Sequence, residues 1–466
     1  MLHRSGILAA TAFTIACSGD PSGLHPPYAP AIDAATVAPN LQNVLSAVVT
    51  LRARRADSAL VRFRLAQAPP SAADSVTPIV SVAGDLAVLS MFGLLPASSY
   101  VARVMAFGPG GVTTSDPIPF MTDALPADLP RYEAGGSDPS PGYVVFAAGR
   151  YGLVIDNTGR VVWYRRFPDG AGLAFMAQPT GRYVLRPPTP DPADLEPWVE
   201  IDPLGTATRT LGCAGGLQPR PHDFIAEPGG AYWLLCDETR VMDLTALGGV
   251  ANARVTGTVV QHVGAAGALL FQWSPFDHFA ITDLDPAQRT GASVNWTHGN
   301  ALDFDADGNL VVSFRSLDEV TKIDASSGAV LWRLGGRRNQ FTFRNAAAPF
   351  IHQHGARAVA PGALLLLDNL GDPTESRAER YVLDEASRTA TLMQAYESTP
   401  PAVTQIGGSV QDLPNGRTLV SFGTAGQVEE YDAAGRITWR ISGNAGYVFR
   451  AQRVRSLYAP GVDSRR

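Results

Sequence analysis

Lysine is almost missing from this 466-residue chain: of its 37 basic residues only Lys322 is a lysine, and the others are arginines. That scarcity nearly excludes Schiff-base and P-loop chemistry, both of which need a lysine at a set place. A strong charge of either sign is absent too. With 43 acidic residues the formal net charge is −6, without the broad basic footprint of a nucleic-acid binder, so no nucleic-acid partner is expected. Cysteines number three. Beyond the N-terminus no apolar run approaches the roughly 20 residues that a membrane-spanning helix takes. Nor is the chain poor in core-forming residues. A hydrophobic fraction of 45% against 17% charged describes a folded protein, and the length suggests two domains, one of them large.

Glycine (46) and proline (36) are plentiful and spread along the chain, which favours many short strands and turns, an all-β protein. Residues 1–17 read as a secretory signal: Met1-Leu-His-Arg4, an apolar run from Gly6 to Ala16, then Cys17. The Ala16-Cys17 junction resembles a bacterial lipoprotein box with Cys17 as the lipidated residue, although Thr14 stands where leucine is usual. Ordinary cleavage nearby is the alternative. Either way the chain is expected to be exported to the periplasm or cell envelope, touching membrane only through a lipid anchor. In an oxidising compartment Cys213 and Cys236 either pair, closing a loop around His222, or remain as two buried thiols.

Residues 18–40, rich in Pro, Ala and Ser, read as a linker. From 41 to 125 the pattern is strand-like, with Val61, Phe63 and Leu65 alternating with Arg62 and Arg64. Leu94-Leu-Pro-Ala-Ser-Ser-Tyr100 resembles the tyrosine corner of fibronectin type III domains, so a small Ig-like β-sandwich is expected here. Residues 131–466 repeat themselves. Asp156-Asn-Thr-Gly159-Arg-Val-Val-Trp163 returns as Asp324…Trp332 and as Asp432…Trp439, each a turn between strands with a structural tryptophan. Turn glycines at 181, 229, 267, 308, 362 and 416 are spaced by 48, 38, 41, 54 and 54, the sign of a six-bladed β-propeller that would carry the chemistry.

Three histidines fall in step with that repeat. His222, His298 and His354 precede turn glycines by 7, 10 and 8 residues, which puts them at equivalent places on three blades facing the ring axis, the default ligand site of such a fold. Asp223 follows His222 as an orienting partner. Two-residue alternation groups His298 with Asn300 and His352 with His354. His278 is expected to pack in a blade. A metal site is disfavoured because no acidic or Cys residue accompanies these histidines at ligand spacing, and no cofactor is called for. The alternative is an oxyanion site with a nucleophilic imidazole, Arg315 chelating two oxygens.

Pro221-His222-Asp223-Phe224, Trp273-Ser-Pro-Phe-Asp277-His278, Trp296-Thr-His298-Gly-Asn300 and Ser313-Phe-Arg315 together resemble the bacterial arylsulfotransferase family. Thr321-Lys322-Ile323-Asp324, Val330-Leu-Trp332-Arg-Leu-Gly-Gly336, Gln353-His354 and Phe449-Arg450-Ala451 extend the likeness. The resemblance implies an exported propeller preceded by a small sandwich. It also implies transfer of a sulfuryl group from a phenolic sulfate ester to a phenolic acceptor by a ping-pong route, without a nucleotide sulfate donor. His354 would become a transient sulfohistidine, His222, His298 and Arg315 would surround the transferring group, and Asn300 would share the pocket. His352 has no matching family position and is taken either as a residue supporting the site from behind or as an acceptor-side, substrate-binding residue. A homodimer stays open. The rival reading is a non-enzymatic cell-surface propeller binding a partner or glycan, and a quinoprotein dehydrogenase ranks third for want of a carboxylate-bound metal.

Overall fold

Strand-forming residues dominate the architecture, a computed structural model that describes residues 28–461 apart from 70, 189–195 and 373. The signal segment and Cys17 lie outside the described residues. The N-terminal part holds two antiparallel sheets. One contains Ala31–Pro39, Ser46–Arg54 and Leu86–Phe92, and the other is built on Ser58–Leu65 paired with Ser99–Gly108. Val49, Leu51, Val61, Leu89 and Val104 from both sheets close one apolar core, while Arg62 and Arg64 point away from it, as two-residue alternation requires. The Tyr100 hydroxyl accepts a hydrogen bond from the Leu95 amide at 2.8 Å, tying the strand start back to the preceding loop.

One boundary needs correcting. Ala31–Pro39, placed in the linker by composition, is a strand paired with 47–54. It lies at a sheet edge and is only half-buried, so Pro39 is tolerated at its end and its apolar alternation is weak.

The remainder forms six sheets of four or more strands, antiparallel except for one short parallel strand, Ser293–Asn295 or Thr342–Arg344, in each of two. Their inner strands are Phe175–Ala177, Gln218–Ala226, Gly299–Phe304, His354–Ala360, Ser409–Leu413 and Ala451–Val454. Successive inner strands lie side by side, and Ala451–Val454 touches both Ser409–Leu413 and Phe175–Ala177, so the ring closes. Between Phe175–Ala177 and Gln218–Ala226 the join is made by Met176 packing near Phe224 and by Gln178 Oε1 accepting from the Ala226 amide at 2.8 Å. Closure uses both ends of the region, because Ala451–Val454 pairs with Tyr143–Ala148 and completes the first sheet. The fold is a β-propeller, in which closure leaves no long free edge.

The Asp–Gly repeat occupies the same place in several sheets. Asp156, Asp324 and Asp432 each accept a hydrogen bond from a backbone amide two residues on, the local bond that favours Asp in turns. The associated tryptophans are buried. Trp163 donates to the Pro203 oxygen and Trp439 to the Asn157 oxygen, each reaching the turn of the neighbouring sheet. Gly267 does not mark a unit of its own, contrary to the spacing argument. It turns between Ala253–Val263 and Leu269–Trp273 in the sheet that already contains Gly229. That sheet is stretched by two 11-residue strands, while the first sheet, closed by the C-terminal strand, lacks the equivalent turn.

Cys213 and Cys236 are disulfide-bonded. His278 is exposed and stacks on Trp273 with ring centroids 5.1 Å apart, so it sits on a blade rather than inside one. Among the described residues no helix is long and apolar enough to cross a membrane.

Candidate active site at the ring axis

The inner strands begin at one end of the axis, and the predicted site residues gather there. His222 lies in Gln218–Ala226, where pairing slips between Pro219 and Phe224. His354 opens its strand. His298 sits one residue ahead of Gly299–Phe304 with φ +47°, and its carbonyl accepts the Arg315 amide at 3.0 Å. His352 is likewise left-handed at φ +54° and precedes its strand, so strand alternation does not set its direction.

The rings are close. His222 and His298 meet edge to face with centroids 5.1 Å apart, and Phe449 lies 5.5 Å from His222 and 6.1 Å from His354. Arg315 Nη2 is 3.4 Å from His352 Nδ1 and 3.3 Å from the Gln405 oxygen. His354 Nδ1 faces two acceptors, Asn369 Oδ1 at 2.8 Å and the His352 oxygen at 3.0 Å, so it carries the ring proton. The lone pair is then on Nε2, with the Gly407 amide 3.3 Å away. Asn295 Nδ2 donates to His298 Nδ1 at 2.6 Å, which puts that ring's proton on Nε2 and makes it a donor. His222 Nδ1 and Asn300 Oδ1 are buried without a partner, whereas Asn300 Nδ2 donates to the Gln353 oxygen at 2.7 Å.

Burial and positive neighbours keep the histidines neutral. Burial, with the charges of Arg315 and His352, pulls His354 down to about 4 even though the Asn369 and His352 hydrogen bonds oppose the shift. Burial, Arg220, His298 and His354 hold His222 well below the usual histidine range, and burial with Arg220 and Arg315 does the same for His298. Arg315 is itself partly desolvated.

The expected orientation of His222 by Asp223 does not occur. The Asp223 carboxylate pairs with Arg357 at 2.8 Å and Arg450 at 3.1 Å, because the next residue along a strand faces the other way. Arg450 instead reaches His222 through the backbone, donating to its oxygen at 3.1 Å. This buried charge cluster lies toward the other end of the inner strands, where a cavity of about 1110 Å³ is lined by Asp223, Asp303, Arg357 and Arg450. The catalytic candidates do not line that cavity. Among the described residues no three His, Cys, Asp or Glu side chains gather as a metal site.

Two supporting residues escaped the sequence reading. Arg220 donates from Nε to the Gly299 oxygen and from Nη1 to Asp237. It stands two residues before His222, a spacing that alternation flags only in a regular strand. Asn369 ends an unbroken run of Leu364–Leu367 as part of an Asp-Asn pair, a polar stop after an apolar strand.

Residues 220–444, which contain His222, His298, Asn300, Arg315, His352 and His354, match the model of the arylsulfotransferase (ASST) family. That stretch, just under half of the chain, is similar to the arylsulfotransferase family. The family carries arylsulfotransferase activity, with aryl sulfates and phenols as its general substrates. Curated proteins give no match. Similar solved structures include a protein of unknown function from Bacteroides caccae, at 13% identity over 67% of this chain and 98% of that one, TM-score 0.41. A streptogramin B lyase is 13% identical over 67% and 84% of the two chains, TM-score 0.38. A virginiamycin B lyase from Staphylococcus aureus is 9% identical over 66% and 87%, TM-score 0.37.

Proposed function

We propose that this protein moves a sulfuryl group from a phenolic sulfate ester to a phenol in two half-reactions through His354, without a nucleotide donor. One observation carries the reading: a buried imidazole, its pKa pulled down to about 4 by burial and the Arg315 charge, has its proton fixed on Nδ1 and its lone pair on Nε2. A nucleophile must be unprotonated at working pH, and this one is so without an adjacent base.

In the first half-reaction the Nε2 lone pair forms a bond to sulfur while the sulfur–oxygen bond to the donor breaks, its electrons leaving on the phenolate. The ring becomes cationic, and the two acceptors at Nδ1, Asn369 Oδ1 and the His352 oxygen, stabilise that charge. Arg315 and the Nε2–H of His298 hold the sulfuryl oxygens, as donors placed where charge develops. Asn300 completes the pocket wall. In the second half-reaction the oxygen of an acceptor phenol bonds to sulfur while the sulfur–nitrogen bond breaks back onto His354 Nε2. The phenolic proton passes by way of His222, whose Nδ1 is unpartnered, to solvent, since a buried imidazole held below its usual range does not keep it. His352 beside Arg315 is assigned to the acceptor side.

The test is incubation with p-nitrophenyl sulfate and a second phenol. Nitrophenolate should accumulate steadily only with acceptor present, and donor alone should leave an acid-labile adduct on the His354 peptide by intact mass. Steady turnover in His354→Ala would defeat the assignment, and inactivity toward every aryl sulfate tried would favour the partner-binding reading.

A further inference from the structure

Asn369 follows the strand Ala363–Asp368 and is fully buried. Its Nδ2 donates to the backbone oxygens of Thr404 and Gly407, both at 3.0 Å, and its Oδ1 faces His354 Nδ1 at 2.8 Å. With both amide protons on carbonyl oxygens, the amide has one satisfied orientation and offers His354 only an acceptor. Turning it over would set an oxygen against two carbonyls and leave buried donors without partners, a cost of several hydrogen bonds.

The same side chain pins the segment that passes over the nucleophile. The Gln405 oxygen accepts from Arg315, and the Gly407 amide lies 3.3 Å from His354 Nε2. Side chains are not admitted there: a Cβ on Gly407 would meet the Tyr447 ring at 2.8 Å, and one on Gly408 would meet Leu367 Cδ2 at 2.1 Å. Thus both nitrogens of His354 are set by groups bonded to one asparagine.

We infer that Asn369 is a positioning residue for the transfer, directing sulfur to Nε2 of His354 and holding the Gly407 N–H beside that nitrogen as a donor to a sulfuryl oxygen. The inference rests on the reading of His354 as nucleophile. When the Nε2 lone pair becomes a bond to sulfur, the Gly407 amide loses its resting partner and an incoming oxygen replaces it. The departing phenolate carries off the electron pair of the broken sulfur–oxygen bond, and the Nδ1 proton stays in place against Asn369.

The donor half-reaction isolates this role. Wild type, His354→Ala, Asn369→Ala and Asn369→Asp are mixed rapidly with p-nitrophenyl sulfate, no acceptor, from pH 3.5 to 9, and nitrophenolate per enzyme is read after an alkaline quench. The charged or titratable groups facing His354 are Arg315, His352, His298 and His222, and all are unchanged in the Asn369 variants. Asn369→Ala should slow the burst on the order of 100-fold, less than a fully wrong tautomer costs in a catalytic triad. Asn369→Asp gives up the bonds to the Thr404 and Gly407 oxygens but keeps an acceptor for Nδ1 and adds negative charge, so the acidic limb of the profile should move up by about one unit or more. At pH 9 its burst should exceed that of Asn369→Ala by roughly tenfold.

A structural asparagine would lower both rates without moving the limb. A burst within about twofold of wild type in Asn369→Ala, or an unmoved limb in Asn369→Asp, overturns the inference. Should Asn369→Ala fail to fold by its melting curve, the Asp variant's limb alone decides. A burst from His354→Ala defeats the nucleophile reading itself, whereas a dead His354→Ala beside a normal Asn369→Ala defeats only this inference.

Discussion

Arg220 Nε donates to the backbone oxygen of Gly299 at 2.8 Å, so one guanidinium joins the His222 strand to the strand that His298 precedes. Its Nη1 pairs with Asp237 at 2.6 Å, and the side chain is 7% exposed. Breaking so buried a pair leaves a carboxylate without its counter-charge. Arg220→Met should therefore lower unfolding stability by about 3 kcal/mol in urea titration. Arg220→Lys, which keeps the charge but cannot bridge two partners with planar geometry, should fall in between. Equal midpoints for all three proteins would show that the bridge is not structural.

The pH response follows from the depressed histidines. Activity in the donor half-reaction should be level from neutrality down to about pH 5 and decline as His354 protonates near 4. Stability should respond sooner. Unfolded histidine binds a proton near 6.5, but the folded His354 refuses one until about 4. In that window the unfolded state holds more protons, so stability falls as pH falls, by about 1.4 kcal/mol per unit for each such histidine. Asp303 works the other way, because burial pushes its carboxyl up to about 6, and folded protein then takes up a proton that the unfolded chain does not. Other buried carboxyls, among them Asp318, Glu319, Asp368, Glu379 and Glu429, are raised as well, so the histidine contribution is read by difference: between pH 6.5 and 4.5 the melting temperature of wild type should fall more steeply than that of His354→Gln. Equal slopes for the two proteins would contradict the buried, neutral assignment.

His222, His298 and His354 were legible because each precedes an inner-hairpin turn glycine by a similar interval, so the repeat itself reports their shared end of the axis. Asp223 was misread because adjacency in sequence is opposition across a strand. Gly267 was miscounted because one sheet uses two glycine turns while another borrows its inner strand from the chain terminus, and closure of that kind leaves no local signal. Asn369 stayed hidden for a related reason. Its partners Thr404 and Gly407 come from a loop 35 and 38 residues away, and only the folded ring brings that loop over His354.

The Cys213–Cys236 bond closes a loop that contains Arg220 and His222. A cross-link of this span removes unfolded-state entropy equivalent to about 3 kcal/mol. The paired variant Cys213→Ser/Cys236→Ser should melt at lower temperature than the oxidised protein and should match the reduced wild type. Catalysis at low temperature should persist, because neither sulfur is among the groups around His354. Loss of activity while the melting curve stayed unchanged would instead place the disulfide in the site's geometry.

Arg315 separates charge from shape. Its Nη2 lies near His352 Nδ1 and the Gln405 oxygen, so it is held at the site by neutral acceptors and has no carboxylate within salt-bridge distance among the described pairs. Asp318 acts on it only at longer range. A guanidinium so placed keeps its charge available for an incoming sulfuryl oxygen, and can bind two of them in one plane. Arg315→Gln should lower kcat/KM by about 100- to 1000-fold, the usual cost of removing a donor to developing oxyanion charge. Arg315→Lys should recover part of that loss through its point charge, but not the two-oxygen contact. Because His354 loses a positive neighbour in the Gln variant, the acidic limb of its donor half-reaction should also move upward. Steady-state kinetics across pH on the three proteins checks both effects, and a Gln variant with wild-type kcat/KM would remove Arg315 from the transfer.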